Sequence, residues 1–237
     1  MADNDFGAEQ ALNYERKVPC ALVIDTSGSM SGSPIEQANA GLLLFEKEVL
    51  ADSVAKQRVD LTIVTFDSSV DVARDFALLG DVVMPTLTTK GTTRLVDGVR
   101  QAVELIKGRI DWYFSTGQDC YRPYLLIITD GAPDADQDVG ALKKELQELV
   151  NTGHESSEKR GHPRKFNVMT FAVDGAPAEK LAQFSPTTPI ELKSQNFRDF
   201  FKYIATVTRQ VSRSKAEEKI DLSPEAVGAK NPFIVTT

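Results

Sequence analysis

The sequence predicts an α/β fold: a doubly wound, mostly parallel central sheet with one antiparallel edge strand and helices on both faces. Three observations carry this. Apolar runs of strand length, "VPCALVID" and "YLLIITD", lack the polar alternation of a half-exposed strand, so both faces must be covered. Segments of helical periodicity alternate with such runs along the chain. One pair of strand-like runs is separated only by the turn residues "SS", which makes a hairpin and hence an antiparallel edge.

Taken in order, 18–25 is the first buried strand. The next segment, "SPIEQANAGLLLFEKEVL", places Ile35, Ala38, Leu42, Phe45 and Val49 on one stripe, and Ser33, Pro34 and Glu36 predict a capping box at its start. Residues 59–67 and 70–76 form the hairpin. Leu95, Val99, Val103, Ile106 and Ile110 predict a helix over 95–110, and "WYFSTGQDCYRP" reads as an irregular aromatic loop after it. Residues 124–130 are the second fully buried strand. Val139, Leu142, Leu146 and Leu149 line one face of a helix, and 166–174 is a further strand beyond a polar loop. "PAEKLAQF" is a short helix and "PIELK" a short strand. An Asn-capped helix over 196–211 then aligns Phe197, Phe200, Ile204, Val207 and Val211. No internal repeat is present. The expected organisation is an N-terminal appendage over 1–16, one domain over 17–211 and an extended C-terminal tail over 212–237.

The chain has 237 residues, enough for one α/β domain with a sizeable core, and its composition is ordinary for a soluble protein at 41% hydrophobic and 26% charged. A net charge of −7 argues against nucleic acid as partner, because duplex binding needs a basic face. No apolar run is long enough to span a bilayer, and the polar N-terminus lacks the order of a secretory signal. A cytoplasmic location with no membrane contact is the expectation, with Cys20 and Cys120 as free thiols and a single bridge between them as the alternative.

Functional loops of a doubly wound sheet leave the carboxyl ends of its strands. Two buried strands here end on aspartate, Asp25 and Asp130, and neither has a basic neighbour in sequence. A buried charge is costly unless it is paired, hydrogen-bonded or bound to a cation. Ser27 and Ser29 follow Asp25, and Thr93 stands just before a helix. If these five groups converge, all are hard oxygen donors with no thiol or imidazole, which suits Mg²⁺, with Mn²⁺ or Ca²⁺ as alternatives, and not zinc. Ser27 and Ser29, two residues apart on an extended loop, would turn their hydroxyls to one side. Two carboxylates only balance the divalent charge, so the ion would stay electrophilic and keep a coordination place for a partner's carboxylate.

"DTSGS" resembles the D-x-S-x-S signature of the von Willebrand factor A domain, whose metal-ion-dependent adhesion site also takes a later threonine and aspartate. "GTTRL" is similar to that family's threonine loop, and "IITDG" to its aspartate loop. The resemblance implies direct metal contact by Ser27, Ser29 and Thr93, with Asp25 and Asp130 acting often through water. Thr92 stands where a second glycine is usual, so Thr92 and Thr93 compete for the threonine role. "YRPYLLIITDGAPDAD" and the closing "VSRSK" also resemble the bacterial TerY-type A-domain proteins of tellurium-resistance and stress-response clusters. That likeness implies partners of a definite kind: an associated Ser/Thr kinase, a metal-dependent phosphatase, or their client.

Rival readings are weighed by motif. A metal-dependent phosphoester hydrolase is the main alternative. However, Met30 stands at the nucleophile position of a G-x-S-x-G elbow, no histidine follows a strand, and Ser27 occupies the place of a second carboxylate. No phosphate-binding glycine loop is present, so a nucleotide switch is disfavoured. Asp134, Asp136, Asp138 and Glu145 fall at calcium-loop spacing, but Val139 replaces the required glycine, and the segment reads as a helix with an acidic first turn. Thr93 has a bland reading as a helix cap. Lys90 and Arg94 flank the threonine loop, either attracting an acidic partner or simply solvated. The histidines, His154 and His162, are expected on a solvated loop.

Overall fold

The computed structural model describes residues 15–81, 83–158, 162–193 and 196–213. Most of the expected appendage and tail thus lies outside the described residues. Six strands form one sheet: β1 (Val18–Asp25), β2 (Val59–Phe66), β3 (Val70–Leu78), β4 (Tyr124–Thr129), β5 (Asn167–Val173) and β6 (Ile190–Leu192). Their order is β3-β2-β1-β4-β5-β6. All neighbours are parallel except β3, which runs antiparallel to β2 at the edge, as the hairpin predicts. The order reverses between β1 and β4, so the topological switch falls between the strands ending at Asp25 and Thr129.

The helices are α1 (Ser33–Leu50), α2 (Ala55–Arg58), α3 (Leu95–Ser115), α4 (Val139–Asn151), α5 (Ala178–Leu181) and α6 (Phe197–Arg213). Alternation along β1 explains its unbroken apolar run. Cys20, Leu22 and Ile24 join the core under α1 and α6, whereas Ala21 and Val23 join the core under α3 and α4. Both cysteines are free and buried.

Three local expectations need correction. The Ser33/Glu36 capping box does not form: Gly32 is the cap residue, at φ +79°, and its carbonyl accepts from the Glu36 N–H at 3.2 Å. That left-handed φ, cheap only for glycine, turns the chain into the helix one residue early, so Ser33 is already helical and Pro34 second. The aromatic loop is in part helix, because α3 continues through Trp112, Tyr113 and Phe114. Tyr113 and Phe114 extend the buried stripe from Ile110, and the Tyr113 hydroxyl donates to the fully buried Asp60 carboxylate. Arg109 donates to the same carboxylate at 2.8 Å and stacks over Trp112 at 4.3 Å, so aromatic residues solvate a buried ion pair from within the helix. Finally, α4 has no acidic first turn: Asp138 caps it, accepting from the Ala141 N–H at 2.9 Å.

Candidate metal centre

Asp25 is the last residue of β1 and is fully buried. Its Oδ1 accepts the Ser27 N–H at 2.8 Å, and its Oδ2 accepts the Thr129 hydroxyl at 2.5 Å. Burial pushes its carboxyl up to about 6, against the opposing hydrogen bonds from Ser27 and Thr129, and the neighbouring Asp130 charge adds to the rise. Asp130 follows β4 and is half-exposed. Its carboxyl is also raised, first by burial and also by the charge of Asp174, while the Ser29 hydroxyl opposes the shift. Among the described residues, no lysine or arginine pairs with either carboxylate.

Residues Gly28–Met30 form a single 3-10 turn, not the extended loop expected. The turn still brings the hydroxyls together: Ser27 Oγ and Ser29 Oγ lie 3.0 Å apart, and Ser29 donates to Asp130 Oδ1 at 2.8 Å. Backbone bonds hold this loop against the threonine loop, with Lys90 N–H on the Thr26 carbonyl at 2.9 Å and Gly28 N–H on the Gly91 carbonyl at 3.2 Å. Gly91 needs its missing side chain twice over: φ is +67°, and a Cβ would lie 2.2 Å from Ser68 Oγ.

Thr93 approaches from the third side. A Cβ added to Gly131 would sit 3.7 Å from Thr93 Oγ1 and 4.0 Å from Asp25 Oδ2, so the absent side chain leaves a small cradle between the two oxygens. Thr92 faces elsewhere. Its hydroxyl donates to Asp134 Oδ2 at 2.9 Å and lies 3.4 Å from Ser68 Oγ. Thr93 does not cap α3; Arg94 is the cap residue, and Gln137 accepts the Val96 N–H at 2.9 Å from across the loop.

The four acidic residues at calcium-loop spacing are all engaged separately. Asp134 holds the threonine loop through Thr92 Oγ1 and the Thr93 N–H, and Asp136 pairs with Arg94 at 2.8 Å. Asp138 caps α4, and Glu145 pairs with Arg100. Arg94 is thereby committed to Asp97 and Asp136, whereas Lys90 stays largely exposed with its Nζ 3.9 Å from Asp67. His154 is half-buried against Asp111 at 2.9 Å, more enclosed than expected, and His162 is exposed.

Several supporting residues lie outside the five predicted ligands. Thr129 donates to Asp25, and its signal was a hydroxyl in an otherwise apolar strand. Asp67 follows β2 as Asp25 ends β1; it is buried and accepts from Thr26 Oγ1 at 3.3 Å. Asp174 follows β5 at φ +45°. Aspartates therefore stand at four strand ends, not two. The donor set fits a hard divalent cation: two carboxylates without a countercharge among the described residues, three hydroxyls and a cradle that one methyl group would fill. Among the described residues no three His, Cys, Asp or Glu side chains gather for a metal, so any ion here depends on the hydroxyls.

No family model and no curated protein matches this sequence. Solved structures do resemble it, and they show a von Willebrand factor A-type fold. The vWF domain of the type V pili tip protein Mfa5 from Porphyromonas gingivalis superposes at TM-score 0.55 and 14% identity, over 86% of this chain and 99% of that one. The PilB minor pilin from Streptococcus sanguinis gives TM-score 0.52 and 14% identity, over 83% of this chain and 62% of the pilin. Proximal thread matrix protein 1 from the mussel byssus gives 0.52 and 13%, over 84% of this chain and 47% of that protein. The chain spans less than two thirds of the last two.

Proposed function

We propose that this chain is a non-enzymatic, Mg²⁺-dependent protein-binding module, with Asp25, Ser27, Ser29, Thr93 and Asp130 holding the ion. The observation that carries this is the pair of aspartates at adjoining strand ends beside the switch point, bridged by hydroxyls and lacking a basic partner among the described residues. A bound divalent cation would supply charge compensation and one coordination place open to an acidic side chain of a partner. Asp25 is positioned by Ser27 and Thr129, and the Thr92–Asp134 bond leaves Thr93 as the threonine nearest the cradle. Mn²⁺ and Ca²⁺ accept the same donors.

The TerY-type likeness gives this module a setting. There the partner would be a Ser/Thr kinase, a metal-dependent phosphatase or their client in a cytoplasmic stress response. The fold of the pilin and byssus proteins is compatible with a binding role. A phosphoester hydrolase is the weaker reading, since neither described histidine lies at this site and Ser27 stands where a second carboxylate is wanted.

The test is affinity capture from a bacterial lysate with Mg²⁺, with chelator, and with Asp130→Ala. The proposal expects a protein lost equally under chelation and in the variant. Partners retained in both would overturn it.

A further inference from the structure

Thr93 is delivered by a long irregular segment. Between Val83 and Arg94 the chain forms neither helix nor strand, so its backbone groups have no ladder to pair with. Its inner face is anchored by Met84 and Leu87, both buried in the core under α1 and α6. Its far end is tied to the surrounding loops: Lys90 to Thr26, Gly91 to Gly28, the Thr93 N–H to Asp134 and the Arg94 N–H to the Asp67 carbonyl.

One further tie comes from a helix. The Leu87 N–H donates to Asn39 Oδ1 at 2.7 Å, and Asn39 Nδ2 donates to the Leu87 carbonyl at 2.9 Å. A single side-chain amide on α1 thus pairs with both polar groups of one residue, as a neighbouring strand would. Asparagine is a poor mid-helix residue, since its side chain competes with the backbone for hydrogen bonds. Here it sits half-buried beside Ala38 on the edge of the buried stripe, with its amide turned to the loop.

We infer that Asn39 is a positioning residue that, together with the backbone bonds at Lys90 and Gly91, sets the register of the threonine loop, and with it which of two adjacent threonines meets the cation. This rests on reading the site as a cation centre. Burial of Leu87 holds the segment against the core, but apolar contact is non-directional and does not fix sliding along the chain. Two opposed hydrogen bonds do, upstream of the backbone bonds at Lys90, Gly91 and Arg94 that restrain the far end. Register matters here because Thr92 and Thr93 have different jobs six residues or fewer downstream. Thr92 is bonded to Asp134 and near Ser68, and Thr93 lies by the Gly131 cradle. A slip of one residue would exchange them.

The same helix therefore serves both halves of the site: its start follows the Asp25–Ser29 loop, and its second turn holds the threonine loop. The experiment uses the full chain and Mg²⁺ alone. Asn39→Leu keeps the branched shape and removes both bonds. Asn39→Asp keeps the acceptor for the Leu87 N–H and loses the donor. Leu149→Ala, in the opposite core layer, is a control for lost stability. Calorimetry reads Mg²⁺ affinity, and amide exchange reads protection at Leu87.

Asn39→Leu is expected to weaken Mg²⁺ binding by about 10-fold or more, the usual cost of removing support from metal ligands. It should also deprotect Leu87. Asn39→Asp should fall between, and Leu149→Ala should bind as wild type. Wild-type affinity in Asn39→Leu, or a loss no greater than in Leu149→Ala, overturns the inference alone. Failure of the wild-type chain to bind Mg²⁺ overturns the cation reading and this inference with it.

Discussion

The Asp25 carboxylate is fully buried, and its hydrogen-bond partners are neutral: a backbone N–H and a threonine hydroxyl. Burial therefore dominates and lifts it from 3.8 to about 6. An acid raised in the folded state stabilises the fold fully below its unfolded value and loses that contribution as pH rises through the folded one. Without metal, this group should cost about 3 kcal/mol at pH 7 relative to pH 3, lost between about pH 4 and 6. Thermal unfolding in chelator should show that difference between wild type and Asp25→Asn, the variant being flatter across the window. Parallel pH profiles would contradict the assignment. Asp25 and Asp130 were legible in the sequence because a charge at the end of an apolar strand demands a partner. Thr129 was not, because threonine is also an ordinary strand former. Asp134 was placed in the acidic first turn of a helix, because its contacts to Thr92 and Thr93, some 40 positions earlier, leave no local signal.

Element boundaries followed the sequence where apolar periodicity was strong. Residues 18–25 are strand as expected, and the α1 and α6 stripes are buried as expected. They departed for two reasons: α3 runs past Ile110 because Tyr113 reaches Asp60, and α1 is capped by Gly32, whose positive φ only glycine adopts cheaply, in place of a serine. Packing between helices was also silent in the sequence. Gly41 in α1 lets Phe201 of α6 approach so closely that a Cβ would lie 2.2 Å from its ring. Glycine to alanine within a helix ordinarily gains about 1 kcal/mol. At Gly41 the sign should reverse, with a loss of about 1–3 kcal/mol from overpacking against a buried ring. Gly108 in α3 is exposed with open space around its missing Cβ, so Gly108→Ala should show the ordinary gain. Urea midpoints of the two variants, shifting in opposite directions, check the point; a stabilising Gly41→Ala would refute it.

At the scale of the whole molecule, strand order decides what the motifs mean. Three sequence stretches separated by dozens of residues become one site because β1 and β4 are neighbours and the β3–α3 connection crosses over their ends. The doubly wound class was readable from the alternation of buried strands and helices. Three motifs in order marked the candidate site, but the contacts that hold the threonine loop, from Asn39 and Asp134, are ones that no local pattern encodes. As proposed, the five oxygens act together on one ion. Isothermal titration of Mg²⁺ into the wild-type chain and into Asp130→Ala and Ser29→Ala tests it most directly, since Ser29 is exposed and Asp130 half-exposed, so neither change removes core packing. One Mg²⁺ should bind per wild-type chain, with heats lost in Asp130→Ala and weakened in Ser29→Ala at unchanged thermal midpoints in chelator. Equal heats in all three proteins, or none in the wild type, would contradict it.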